Sequence, residues 1–181
     1  MAEVKGNSIV YQDIIKFTIV LLFITIAVIT DYKEYKIKNI HVLIFLTAGI
    51  VLNGVTAGLT GLLDSVYGLL IPLALLLLFA VKMLGAGDIK ALCTIGSIMG
   101  LKMSIYTVLL SIVAGGVIAV GFMIFRKNTL QRFKQLGTYL KQCFYLLKLL
   151  PYDQFTDEKS GFRFSLGILG GFILAVVYNC V

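Results

Sequence analysis

The chain has 181 residues, 59% of them hydrophobic and only 14% charged, with a formal net charge of +7 at pH 7. A mean hydropathy of +0.98 excludes an ordinary soluble domain of this size. The sequence carries no nucleic-acid-binding motif, so we attribute the basic balance to membrane topology and anionic lipid rather than to nucleic acid.

Apolar segments of transmembrane character follow one another along the chain. The six candidates are Ile14–Thr30, Ile40–Gly58, Val66–Leu84, Asp88–Gly100, Met103–Phe125 and Phe164–Val181. The fourth is short, and it could be a half-helix whose end is covered by protein or by a wet cavity. The segments predict an all-α, polytopic membrane helix bundle of about six transmembrane helices, forming one domain over residues 1–181.

The distribution of basic residues along the chain indicates the orientation of the bundle. Glu3 and Lys5 precede the first segment without the basic region or cleavage site of a signal peptide, so we expect the first helix to remain in the protein. With the N-terminus outside, the outer side carries only Lys5, Lys16 and Lys102, and the other 13 of the 16 Lys and Arg residues lie inside. This asymmetry follows the positive-inside rule.

Residues 126–160 form the longest loop, on the predicted cytoplasmic side. Its apolar residues recur at three- and four-residue spacing: Leu130, Phe133, Leu136, Leu140, Phe144 and Leu147. Lysines recur every seven residues on another face, and Pro151 follows. The pattern predicts an amphipathic helix on the inner leaflet, which is either a lipid-touching face or a lid or docking surface for a substrate.

Metal and cofactor chemistry has little support in the sequence. Cys93, Cys143 and Cys180 form no CxxC pair and suggest neither a zinc site nor a disulfide framework. His41 is the only histidine, and we expect it to be an interfacial or capping residue rather than a base. No HExxH motif occurs. We therefore predict no metal and no organic cofactor.

Two aspartates lie at helix ends on the predicted cytoplasmic side. Asp31 ends the first segment and Asp88 starts the fourth. A carboxylate within the bilayer costs roughly 2.5 to 3.5 kcal/mol at mid-helix and less at the ends, so such residues usually face the bundle interior, pair with other groups or do chemistry. Each also has a structural interpretation alone: Asp88 as a helix N-cap and Asp31 as a helix–water boundary.

The glycines before Asp88 favour the chemical interpretation. Gly85 and Gly87 flank Ala86, and we expect them to form a flexible, unwound lip with room for an extended peptide beside the carboxylate. Two aspartates a few Å apart share one proton. The ionised one can take a proton from water while the protonated one hydrogen-bonds the scissile carbonyl. The pattern therefore predicts a membrane aspartic protease.

Together these residues resemble the type IV prepilin peptidases, the GxGD aspartic endopeptidases of the bacterial and archaeal inner membrane. Asp31 is followed by Ile37, Lys38 and Asn39, where the family has an Ile-Pro-Asn-like tripeptide, and Gly85–Asp88 matches its GxGD motif 57 residues after Asp31. Lys38 replaces the proline of the family pattern.

The resemblance extends over about residues 14–178. Lys90 matches the basic residue that often follows the GxGD motif, and "FRFSLGILGGFILA" (162–175) is similar to the family's closing helix. No domain with paired CxxC motifs, which methylates the new amino terminus in bifunctional members, is recognisable. The resemblance thus implies the short, peptidase-only form found in tight-adherence and related pilus systems.

The resemblance also implies a substrate and site residues. The expected reaction is removal of the short basic leader of a pilin-like precursor at the cytoplasmic face of the cell membrane. Its catalytic residues would be Asp31 and Asp88. The residues that shape the site would be Gly85, Gly87, Lys90, Asn39 and Lys38.

Other functions stay open at this point. A small ion- or proton-coupled transporter would bind ions at Asp31 and Asp88, but it should carry charges nearer the bilayer midplane and an internal repeat, and the sequence has neither. A non-catalytic relative could act in pilus or secretion assembly. Presenilin-type GxGD proteases usually have a Tyr-Asp pair, whereas Thr30 precedes Asp31 here. The oligomeric state is undetermined.

Overall fold

The computed structural model describes residues 2–34, 37–76, 79, 84–125 and 164–180, and these ranges contain helices and no strand. The helices are α1 (Ala2–Glu34), α2 (Asn39–Leu73), α3 (Ala86–Met99), α4 (Leu101–Phe125) and α5 (Ser165–Cys180). The all-α prediction is confirmed for this part of the chain. The interfacial helix predicted within 126–160 lies outside the described residues.

Three of these helices are long and apolar enough to cross a membrane. The spans are Gln12–Lys33 in α1, Asn39–Leu73 in α2 and Leu101–Gly121 in α4, and α5 contains a shorter apolar helix over Ser165–Asn179. Large apolar side chains remain exposed on all four helices, as at Leu22, which is 56% exposed. A surface of this kind suits lipid and not water. The protein is therefore a membrane protein.

Helix α2 reverses direction at Gly58. This residue has φ +62° and ψ −139°, a conformation that favours glycine. The Asn53 amide donates to the Ser65 hydroxyl at 2.8 Å, whereas residues 12 apart in a straight helix would be about 18 Å apart. The chain therefore forms two antiparallel arms, 39–57 and 59–73. They contain the second predicted segment and the start of the third.

The second arm begins earlier than the predicted Val66. Asp64, which the sequence suggests lies outside the segment, is part of α2. Its Oδ1 accepts a hydrogen bond from the Leu101 amide at 3.0 Å and so caps the start of α4. Asp64 thus stays exposed while its carboxylate has a helix end as its partner.

Helix α3 lies at the centre of the bundle. All residues from 91 to 98 are buried, and α3 packs against both α2 and α4 as well as α1. Its 14 residues extend about 21 Å, less than the roughly 30 Å of a bilayer core. The observed bounds differ by two residues or fewer from the predicted Asp88–Gly100. The short segment is covered by protein.

The C-terminal end of α3 is held tightly between the arms of α2. A side chain at Gly68 would overlap the carbonyl oxygen of Gly96. Asn53, which is only 2% exposed, donates its amide protons to the carbonyls of Ser97 and Ile98 at 3.0 Å each. Close backbone contact and satisfied polar groups thus fix this end of α3.

Candidate active site

The C-terminal end of α1 meets the N-terminal ends of α3 and α5 at one end of the bundle. Ile37, which is buried, lies over the first turn of α3, with its side-chain carbons 3.6 Å from the position a Cβ would take on Gly87. A small cavity of about 10 Å³ lies between these elements and is lined in part by Ala27, Ala91 and Ser165. Asp31 and Asp88 lie at the rim of this junction.

Asp31 is in the last turn of α1 and is half-buried. Its Oδ2 accepts a hydrogen bond of 2.6 Å from the hydroxyl of Ser165, the first residue of α5. The distance is that of a short O–H···O hydrogen bond. The last helix of the chain thus meets the first at a predicted catalytic residue.

Asp88 is the third residue of α3 and lies outside the three candidate spans. The pKa of the Asp88 carboxyl is raised to about 6, mainly by burial and in addition by the negative charge of Asp31, while a hydrogen bond from the Gly85 backbone acts in the opposite direction. The charge of Asp31 therefore reaches Asp88. The two aspartates therefore lie at the same end of the bundle.

Asp88 also stabilises the start of α3. Its backbone N–H donates to the Gly85 carbonyl at 3.1 Å, while its carboxylate accepts from the Gly85 backbone. The bond from the Gly85 backbone to the Asp88 carboxylate is one half of a capping box, with Gly85 at the N-cap and Asp88 three residues later. The proposed N-cap role of Asp88 is therefore corrected: Asp88 is the third residue of the helix, and it caps by reaching back.

The glycines differ from the expected unwound lip. Only Gly85 is extended, with φ −75° and ψ 142°, and Ala86 already begins α3. Gly87 lies inside the first helical turn, because the hydrogen bonds between residues 85 and 88 close that turn. A Cβ on Gly85 would lie 2.9 Å from Asp88 Oδ2. The non-helical part of the motif is therefore Gly85 alone, and its lack of a side chain makes room for the Asp88 carboxylate.

The remaining predicted site residues lie beside this junction. Lys90 Nζ donates to Asn39 Oδ1 at 2.9 Å and joins α3 to the start of α2. Lys38 is the exposed N-cap residue of α2, with φ −67°. Proline holds the same φ, so the departure from the family pattern leaves the local backbone compatible with it.

Ser165 is the contact that the sequence did not predict. A serine that opens the closing helix, on the same membrane side as Asp31, is the signal that could have indicated it. As for metals, no group of three or more His, Cys, Asp or Glu residues able to hold an ion occurs within the described ranges.

A model of the type IV leader peptidase family matches residues 18–120, more than half of the chain and a range that includes both aspartates. The chain belongs to the type IV leader peptidase family. The predicted family resemblance is confirmed. Neither a curated protein nor a solved structure matches this leader peptidase family member. Its family makes it a protease with a protein substrate, and its apolar helices place it in lipid.

Proposed function

We propose that this protein is an aspartic endopeptidase of the cell membrane that removes the short basic leader of a type IV pilin-like precursor. The observation that carries the proposal is the meeting of Asp31 and Asp88. They come from different helices, and the charge of one raises the pKa of the other. Paired carboxylates of this kind are the catalytic groups of aspartic proteases.

The charge distribution supports a cytoplasmic site. Lys33, Lys38 and Lys90 lie at the end of the bundle that holds the aspartates. The other end of α3 is about 21 Å away along its 14 residues, where Lys102 follows the start of α4. Basic residues collect on the cytoplasmic side of membrane proteins. This polarity corresponds to the topology of six spans with the N-terminus outside.

The chemistry needs one ionised and one protonated carboxyl. Asp88 has the raised pKa and holds its proton more readily than an exposed aspartate. In the proposed reaction the Asp31 carboxylate accepts a proton from water as the water oxygen attacks the scissile carbonyl carbon, and Asp88 transfers its proton to the carbonyl oxygen. When the tetrahedral intermediate collapses, the C–N bond breaks, the proton on Asp31 passes to the leaving amine, and a hydroxyl of the intermediate returns a proton to Asp88.

Gly85 provides the approach for the peptide. It is exposed and carries no side chain beside Asp88 Oδ2. An extended leader segment can therefore lie close to the carboxylate at this residue. The hydrogen bond between Lys90 and Asn39 holds the start of α2 against α3 beside this approach. The entrance for the peptide is therefore open at Gly85 and ordered on the side of α2.

The test is co-expression with the pilin-like precursor encoded nearest to the gene. Asp31→Asn and Asp88→Asn keep the shape of the side chain but cannot cycle a proton. We expect each variant to slow leader removal at least about 100-fold. Leader removal is followed by gel mobility and by mass spectrometry of the new amino terminus.

Asp13→Asn is the matched control, because Asp13 is an exposed aspartate of the same helix as Asp31. It should process the precursor like the wild type, with equal amounts of all variants in the membrane fraction. Normal cleavage by either Asp31→Asn or Asp88→Asn contradicts the acid pair. A wild-type chain that leaves the precursor intact contradicts the substrate assignment.

A further inference from the structure

Ser165 connects the last helix to the acid pair. The residue is only 3% exposed, and its hydroxyl donates to Asp31 Oδ2 at 2.6 Å, across 134 positions of the chain. A buried hydroxyl aimed at a carboxylate in this way fixes the rotation of that carboxylate.

The helix ends around Asp31 make this contact important. Asp31 lies in the last turn of α1, where the helix dipole disfavours a negative charge. Ser165 begins α5, and the start of a helix favours a negative charge. Asp31 is therefore held at the end of its own helix by the hydroxyl and the first turn of another helix.

The position of Ser165 is fixed by the packing of α5. Gly167 lies against Gly115 of α4, where an added Cβ would be 2.9 Å from the Gly115 Cα. Phe172 is buried, and its ring lies 6.3 Å from that of Phe17 on α1. Glycine contacts thus hold α5 on α4, and aromatic packing holds it on α1. The hydroxyl is presented from a rigid element.

We propose that Ser165 is a positioning residue for Asp31, with its hydroxyl holding the carboxylate in the orientation at which it meets Asp88 and the attacking water. The inference rests on the proposed function. Ser165 engages Oδ2, which leaves Oδ1 for the water. The hydroxyl keeps its own proton throughout and does not touch the peptide, so it acts through Asp31.

Three variants of the full chain in lipid nanodiscs test this role. Ser165→Ala removes the hydroxyl, and Ser165→Thr keeps it while adding a methyl group beside the small cavity that Ser165 lines. Ser104→Ala is the matched control. Ser104 is also buried, and its hydroxyl donates at the same distance, 2.6 Å, to the Gly68 carbonyl, away from the aspartates.

The kinetics with a precursor peptide separate positioning from general stability. We expect Ser165→Ala to lower kcat about 10- to 100-fold with KM within about twofold of the wild type, because a misplaced catalytic group slows the reaction and leaves binding intact. Ser165→Thr should recover kcat to within about threefold. Ser104→Ala should keep the wild-type kcat. Equal losses in the two alanine variants, or no recovery with threonine, would overturn the inference.

A second measurement does not depend on catalysis. In protein labelled with ¹³C at the aspartate carboxyls, the infrared carboxylate band of Asp31 is the band lost in Asp31→Asn. We expect this band to shift in Ser165→Ala, to return in Ser165→Thr and to stay in place in Ser104→Ala. An unshifted band in Ser165→Ala would overturn the role of Ser165. A band that shifts in Ser165→Ala, together with a wild-type protein that cleaves no precursor, would contradict only the proposed function.

Discussion

At the scale of single residues, Gly85 and Asp88 depend on each other. The Gly85 backbone hydrogen-bonds the Asp88 carboxylate, and the missing side chain of Gly85 leaves space for Oδ2. Gly87, the second glycine of the motif, has Ile37 at ordinary contact distance and lies within a helix. The two glycines of one motif therefore have different physical roles.

We expect Gly85→Ala and Gly87→Ala to separate these roles. An alanine Cβ at position 85 would lie 2.9 Å from Asp88 Oδ2, so the carboxylate must move and leader removal should slow about 10- to 100-fold. At position 87, alanine fits and gains up to about 1 kcal/mol of helix propensity. Cleavage rates and thermal unfolding midpoints measure both effects. Equal loss of cleavage in the two variants would support instead the flexible lip that the sequence suggested.

Ser165 shows why part of the site was not predictable. The sequence predicted the pairing of Asp31 and Asp88 because one ends the first apolar segment and the other starts the fourth, on the same predicted side of the membrane. The Ser165 contact depends on how α5 packs against α4 and α1, and its partners are 134 residues apart. Hydropathy predicts how deep a residue lies in the membrane, but it does not predict which residues contact it at that depth.

At the scale of helices, close backbone contact between α2 and α3 positions the site. Gly68 lies against Gly96 and Gly100, so the second arm of α2 approaches the end of α3 at backbone distance. The sequence predicted the bounds of α3 within two residues because polar or glycine residues flank its apolar stretch. The second arm starts at residue 59, seven residues before the predicted Val66, because the helix-capping role that lets Asp64 lie within the helix depends on its partner Leu101.

Gly68→Ala should destabilise the bundle. The added methyl group would overlap backbone atoms of Gly96 and Gly100, and a rotamer change cannot relieve a backbone overlap. We expect a loss of about 1–3 kcal/mol in the free energy of unfolding. Gly116→Ala on α4 is the control, because nothing lies within 4 Å of the added group. Thermal denaturation in detergent compares them, and an unchanged midpoint for Gly68→Ala would contradict the close packing.

At the scale of the whole molecule, the acid pair opposes stability at neutral pH. The pKa of Asp88 rises from 3.8 to about 6 on folding. A raised pKa means that the folded state binds the proton more tightly than the unfolded state. The resulting stabilisation is full below pH 3.8 and is lost as the pH rises through about 6. Above that pH the fold carries a buried negative charge close to that of Asp31.

Asp88→Asn should therefore stabilise the protein while abolishing its activity. The amide oxygen still accepts from the Gly85 backbone, and the buried charge is gone. We expect a gain of about 1–3 kcal/mol over the wild type at pH 7.5 that shrinks toward pH 5. Unfolding midpoints across this range measure it, with the exposed Asp13→Asn as control. A gain that does not depend on pH would contradict the ionisation of Asp88 as its cause.

The enclosure of α3 links the acid pair to the thickness of the bilayer. Hydrophobic mismatch tilts or shifts the helices that lipid touches, and α1 has such a surface, with Leu22 and Ile29 exposed. Residues 91–98 of α3 are shielded from acyl chains by the other helices. One acid therefore belongs to a helix that responds to membrane thickness and the other to a helix that does not. We therefore expect bilayer thickness to act on the level of Asp31 more than on that of Asp88.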